Sequence, residues 1–408
     1  FFALPSANSD PTGSYPSYGT PGLASAGIAP SRVYTYVDDS HIYSGDAQYN
    51  NIAPGGADAS AEARDCSGNP ITINNHGGYL SDPYQPATVQ LYNNDVTTQY
   101  NYSSEYGIVF IDDIDAWQYN DNGALPCHSG AVWSQPSVSS AYESVVGSIA
   151  VSHLAGGHAP PMYLLNALAP VINEAGGSGA TVVAEISSLA GLGSVLGMDC
   201  ENCYADNSNP EVGNNTSGEL PNKWTLAEDA EIASVNARKI FWLQDIESHS
   251  TGAASYAGRI YGFASFMLTW DPVYTVYQNL YYGDRSDGEH PNSSNPQIHV
   301  FPEEALTAYV PLVPYPSNAS LIAALKDSGG TYFREYQYCY YTGNAVGTCA
   351  FVVNPDSSAH NAPTLRGKYT HTLTISSQLD VLDGGSVSLT GAAMPSSVGA
   401  LTAYVLLP

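Results

Sequence analysis

Basic residues are scarce in this chain. Lys and Arg number 11 against 38 Asp and Glu, giving a formal net charge of -27, and charged residues are only 12% of the total, about half the usual share. So anionic a chain has little with which to neutralise phosphates, which argues against nucleic acid and anionic membranes as partners. Neutral polymers, or cationic ones such as amino sugars, remain compatible. Missing too is any run of about 18 apolar residues, so no membrane span is expected. Walker, G-x-S-x-G and H-E-x-x-H sequences are absent, which removes the usual signatures of nucleotide, serine-hydrolase and zinc-protease chemistry.

What is present is an ample apolar fraction, 43% of 408 residues, together with 31 Tyr and 38 Gly. Global disorder is excluded by that composition, and the length suggests two domains. The solubilising surface must be largely uncharged and hydrogen-bonding, which suits the extracellular space. Six cysteines, an even number, fit an oxidising compartment. Locality pairs Cys339 with Cys349 and Cys200 with Cys203, leaving Cys66 for Cys127. The Cys200-x-x-Cys203 segment is alternatively half of a zinc site, though no second pair completes it. The opening Phe1-Phe2-Ala3-Leu4-Pro5, without Met, reads as a processed secretory product. Sequons at Asn101, Asn214, Asn215, Asn292 and Asn318 would accept glycans.

The most informative stretch is 107–117. Four apolar residues, Ile108 to Ile111, run into Asp112, Asp113 and Asp115 and then Trp117. An unbroken apolar run reads as a strand buried on both faces of a parallel sheet. Carboxylates do not stay in such an interior unpaired, so they belong where the strand ends. The same grammar recurs. Residues 33–37 lead to Asp38, 71–73 to Asn74 and His76, 162–165 to Asn166, 181–184 to Glu185, 240–243 to Asp245, and 262–269 to Trp270 and Asp271. An eighth run lies near 298–301. Between the third and fourth, Val138, Tyr142, Val145, Val146 and Ile149 recur at helical spacing. Thr225 and Glu228 resemble a capping box opening another helix, and 197–223 reads as a long polar loop.

Polar exits on nearly every strand imply a ring of side chains around one mouth. The expected fold is therefore α/β, a (β/α)8 TIM-type barrel over 31–327, preceded by an extended arm at 1–30. From 328 onward short strands separated by Gly, Pro and Ser predict a small antiparallel β-sandwich over 328–408.

Paired carboxylates on different strands divide the work of glycosidic cleavage, one protonating the leaving oxygen while the other attacks the anomeric carbon or activates water. Asp112 and Glu185 are the candidates. Asp38, Asp113, Asp115, Asn166, Asp245 and Asp271 would supply supporting polar groups to a polysaccharide, and Trp117, Trp270, Trp242 and Tyr36 would stack on sugar faces. No cofactor is required. Calcium is the ion acid-rich secreted loops take, with Asp112, Asp113 and Asp115, or Asp284, Asp287 and Glu289, as its ligands; the EF-hand spacing is absent.

Residues 107–115 resemble the strand–acid motif of the endo-α-1,4-polygalactosaminidase family and related barrel glycosidases. Asp112 falls on that family's nucleophile and Asp115 on its second acid, while 181–185 is similar to the later strand whose Glu is the general acid. The tail, with Phe351-Val352-Val353-Asn354-Pro355, is similar to the sandwich appended to such enzymes. The resemblance implies a secreted glycoside hydrolase. Two other readings stand beside it. One is a structural subunit of an extracellular filament, sheath or surface layer, a catalytically inactive barrel joined to copies of itself through its apolar-tipped arm. The other is a non-catalytic carbohydrate binder.

Overall fold

The computed structural model describes residues 2–3, 33–38, 40–44, 48–73, 78–101, 108–112, 114, 124–134, 137–155, 162–168, 171–172, 178–206, 209–210, 222–247, 253–281, 301–375 and 386–408. They fall into two compact units, Phe1–Pro170 with Ser188–Met198, and Val171–Ser187 with Asp199–Pro408.

The first unit holds β1 (Phe2–Ala3), β2 (Val33–Asp38), β3 (His41–Ile42), β4 (Thr72–Ile73), β5 (Gly78–Leu80), β6 (Ile108–Asp112), β7 (Cys127–His128), β8 (Ala131–Val132) and β9 (Met162–Asn166). Strands β1, β2, β6 and β9 lie side by side, every neighbouring pair parallel. Ile108, Val109, Phe110 and Ile111 are all buried, as a central parallel strand demands. Helix Ser137–Ala155 buries Val138, Tyr142, Val145, Val146 and Ile149. Helix Pro86–Asn101 buries Leu91, Tyr92 and Val96 and starts on a proline, whose fixed φ suits the first turn. The arm's tip, Phe2–Ala3, is a backbone partner of Val33 and Tyr34 in the same chain.

In the second unit are β10 (Val195–Asp206, which begins in the first), β11 (Asn209–Pro210), β12 (Ile240–Glu247), β13 (Thr275–Tyr281), β14 (Leu306–Pro311), β15 (Tyr332–Tyr341), β16 (Asn344–Asn354), β17 (His360–Asn361), β18 (His371–Ile375), β19 (Val387–Thr390), β20 (Ser397–Val398) and β21 (Thr402–Leu407). Strands β12 and β13 are parallel. The antiparallel sheet runs β14-β15-β16-β21-β18-β19. Alternation along β16 gives it two apolar faces. Ala350 and Val352 pack with Val398 and Leu406, beneath the β17–β20 ribbon. Phe351 meets Phe263 of helix Ala253–Leu268, edge to face at 6.1 Å. Each fully buried side chain of this kind contributes about 1.5–3 kcal/mol.

The chain is thus mixed α/β, with a parallel sheet and an antiparallel one, but the parallel strands form no closed barrel among the described residues. Three of the runs expected to be barrel staves serve elsewhere. Residues 181–185 sit inside helix Gly179–Gly191, and 262–268 inside helix Ala253–Leu268. Thr72–Ile73 belongs to a separate three-stranded antiparallel sheet, β3-β5-β4. A short apolar run is compatible with a buried helix or a buried strand, and tertiary packing decides. The run near 298–301 lies largely outside the described residues. Likewise, residues 197–206 are strand rather than loop.

Candidate active site

Three neighbouring parallel strands end together in the first unit. Register pairs Asp38 of β2 with Asp112 of β6, and Ile111 with Leu165, which sets Asn166 of β9 next to Asp112. Asn166 Nδ2 donates to Asp112 Oδ1 at 2.7 Å. Asn166 is buried and Asp112 half-buried, so Asp112 is the first residue of its strand that water reaches. The row Asp38, Asp112, Asn166 is the group of sequence candidates that the fold brings together. Asp113, Asp115, Trp117, Asp284, Asp287 and Glu289 lie outside the described residues.

Glu185 stands in the middle of a helix, not at a strand end. Val182, Ile186 and Leu189, at steps of four and three, are the buried stripe of that helix. Their spacing outweighs the β-branched run at 181–183. Glu185 is half-buried beside the stripe, in the segment assigned to the second unit.

The remaining candidates perform structural duties in the second unit. Asp245 is fully buried in β12, and its Oδ1 accepts the backbone N–H groups of Tyr204 and Ala205, each at 3.2 Å. Gly262 lets its helix approach that carboxylate, since a Cβ there would collide with Asp245 Oδ2. Trp242 is a core residue. Trp270 donates its indole N–H to Ala308 O at 2.8 Å. Asp271 Oδ1 accepts the N–H groups of Val273 and Tyr274, closing a turn. Both Trp270 and Asp271 precede β13, so they lie at the amino-terminal end of the parallel β12–β13 pair, opposite the edge expected for them.

A buried acid centre was not anticipated. Trp224, Glu228, Glu231 and Val235, spaced four, three and four apart on helix Lys223–Asn236, are all buried, with both glutamates at 0% exposure. Tyr204 donates its hydroxyl to Glu231 Oε2 at 2.7 Å, and Thr269 Oγ1 donates to Glu228 Oε2 at 2.9 Å. Burial, then the neighbouring Glu231, raises the Glu228 carboxyl well above its ordinary range. Burial also pushes Glu231 up to about 8, against the opposing pull of its hydrogen bonds and of Arg334. On the same helix Asp229 is pushed up by burial to about 6, while its Oδ1 accepts the Ile322 N–H. The Arg334 guanidinium donates to Leu268 O and lies 5.1 Å over the Tyr336 ring. Both glutamates are closed to solvent, so this centre does not meet a polymer. Glutamates on the Trp224 stripe were the signal; the capping-box reading misassigned it. Asn222 precedes the helix in a left-handed conformation with no side-chain cap.

Disulfides join Cys66 to Cys127, Cys200 to Cys203 and Cys339 to Cys349. Among the described residues no group of three His, Cys, Asp or Glu side chains is placed to hold a metal, and no helix is long and apolar enough to cross a membrane.

No family model and no curated relative matches the chain. Similar solved structures include a pullulanase from Bacillus acidopullulyticus, 11% identical at a TM-score of 0.38 over 95% of this chain and 47% of that one. A GH31 dextranase from Flavobacterium johnsoniae is 9% identical at 0.42, covering 95% and 44%. A type I pullulanase from Bacillus subtilis is 10% identical at 0.30, covering 94% and 54%. The chain spans about half the length of the structures it matches. Likeness this loose fixes neither a shared fold nor a shared chemistry.

Proposed function

We propose that the chain is an extracellular glycoside-hydrolase-like protein, related in its chemistry to the polygalactosaminidases, that acts on a neutral or amino-sugar polysaccharide. The observation that carries this reading is Asn166 holding Asp112 at the end of a parallel strand. A half-buried carboxylate fixed by a hydrogen bond suits the charge that develops at an anomeric carbon. In this reading Asp112 is the nucleophile or stabiliser. Asp38, beside it in register, and Asp113 and Asp115, close in sequence, support the sugar. The family resemblance gives proton donation to Glu185, which stands within helix Gly179–Gly191. Three disulfides suit an oxidising, extracellular setting.

Asp112→Asn, Asp38→Asn and Glu185→Gln are assayed on polysaccharides and on aryl glycosides with good leaving groups. Asp112→Asn is expected to lose both activities by about 100-fold or more. A true proton donor, once removed, loses the polysaccharide and keeps the activated glycoside. Undiminished turnover by Asp112→Asn, or no cleavage of any glycan by the unaltered chain, would end the hydrolase reading.

A structural subunit of an extracellular filament is the second reading. It rests on the arm's tip adding as a strand to β2, because the same pairing made with another copy links chains head to tail. Removing residues 1–25 is expected to dissolve assemblies seen by electron microscopy; monomers before and after truncation would discard it.

A further inference from the structure

We infer that the outer face of the β14–β15 ladder is a second carbohydrate-binding surface, a tyrosine platform for an uncharged glycan chain, independent of any hydrolysis at Asp112. Antiparallel register sets Thr307 opposite Tyr340 and Tyr309 opposite Tyr338, and directly opposed residues share a face. Tyr309 is 42% exposed and Tyr338 49%. The Tyr309 and Tyr340 rings meet edge to face at 5.9 Å, and Gln337 Nε2 donates to the Tyr338 hydroxyl at 3.0 Å.

The platform is held from behind. Leu306, Ala308 and Cys339, on the alternate positions, are buried. Cys339 is bonded to Cys349, and the Trp270 indole fastens the Ala308 carbonyl. At its end Val310, a β-branched residue 51% exposed, adopts a left-handed φ of 58°, a costly conformation that turns the strand next to the rings. Rigid rings with little freedom to lose make good binding surfaces.

Charge selects the occupant. The face itself offers Thr307, Tyr309, Gln337, Tyr338 and Tyr340, none of them an acid or a base, so it holds no charged partner for a cationic or anionic ligand. A neutral sugar polymer needs no charged partner on such a face. Its axial C–H faces lie on tyrosine rings while its hydroxyls reach the phenol and amide groups.

The test is affinity electrophoresis of the full chain through gels containing soluble starch, dextran, galactan, β-glucan or chitosan. We expect retardation by at least one neutral glycan, weakened about tenfold or more by Tyr309→Ala with Tyr338→Ala. Tyr309→Phe with Tyr338→Phe, which keeps the rings, should retain most of it, and Asp112→Asn should be retarded normally. Circular dichroism checks that these exposed replacements leave the fold intact. Unchanged retardation in the double alanine variant overturns the site, as does retardation by chitosan alone or by no glycan. A lower sedimentation coefficient in that variant shows a contact between copies instead.

Discussion

The Tyr204 hydroxyl donates to Glu231 Oε2 at 2.7 Å in a site closed to solvent. Burial raises the Glu231 carboxyl to about 8 and Glu228 well above its usual range. The folded chain therefore holds protons that the unfolded chain releases near pH 4.5, and stability falls as pH rises across that interval. The contribution is complete below about 4.5 and is lost as the pH climbs through about 8. Glu231→Gln, isosteric and always neutral, should flatten this slope, raising the melting temperature at pH 9 by a few degrees, roughly 2–4 °C for each kcal/mol recovered. Parallel melting curves for the two proteins between pH 5 and 9 would contradict the assignment.

Strands β2, β6, β9 and β12 were readable from their apolar runs, whereas β10 lay in an expected loop and β13 had no such signal. The Ile108–Asp112 strand is buried on both sides and ends on its acid, as the composition of that segment requires. The hairpin bridged by the third disulfide was equally plain, since Cys339 and Cys349 flank a short turn. Where legibility failed, two periods were superimposed. In 181–189 a β-branched start masks the stripe Val182, Ile186, Leu189, and Glu185 was consequently placed at a strand end it does not occupy. The buried glutamates were missed for a different reason. Acidic residues on a helix usually face water, and only their phase relative to Trp224 shows that these do not.

Asn166 offers a second, local test of the Asp112 row. Replacing its amide with a carboxylate, Asn166→Asp, removes a donor and puts a like charge against Asp112 Oδ1. Two adjacent carboxylates do not both ionise readily. If Asp112 acts as a base or nucleophile, the acidic limb of the pH–activity profile should move toward higher pH by about one unit or more. A profile that keeps its limb and loses only amplitude would mean Asn166 serves packing alone.

Arg259 and Glu303 form a two-pronged ion pair in the interior of the second unit, Nε to Oε1 at 2.7 Å and Nη2 to Oε2 at 2.6 Å, with the guanidinium 4.1 Å over the Phe301 ring. Removing one partner strands the other charge in a dry site, at a cost of about 3–5 kcal/mol. Arg259→Met should therefore unfold at markedly lower urea than the unaltered chain. Combining it with Glu303→Leu should recover most of the loss, because two apolar groups of similar volume need no partners. If the double variant is no better than the single one, packing around Phe301 and not charge is what the pair supplies.

The three disulfides close loops of very different size, and that difference ranks them. Cys66 and Cys127 are 61 positions apart, Cys339 and Cys349 are 10, and Cys200 and Cys203 only 3. A bridge restricts the unfolded chain in proportion to the logarithm of the loop it closes, which gives about 4, 3 and 2 kcal/mol in that order. Replacing each pair by alanine in turn should reproduce the ranking in urea midpoints. Cys66 and Cys127 carry a further consequence, since β7 begins at Cys127 and the imidazole of His128 stacks on Tyr84 at 4.5 Å. Loss of that bridge is expected to free the short hairpin as well as the longer loop, so its amides should exchange faster even under native conditions. A Cys200–Cys203 deletion as damaging as the Cys66–Cys127 one would show that the bridge within β10 acts on the folded strand and not on the unfolded chain.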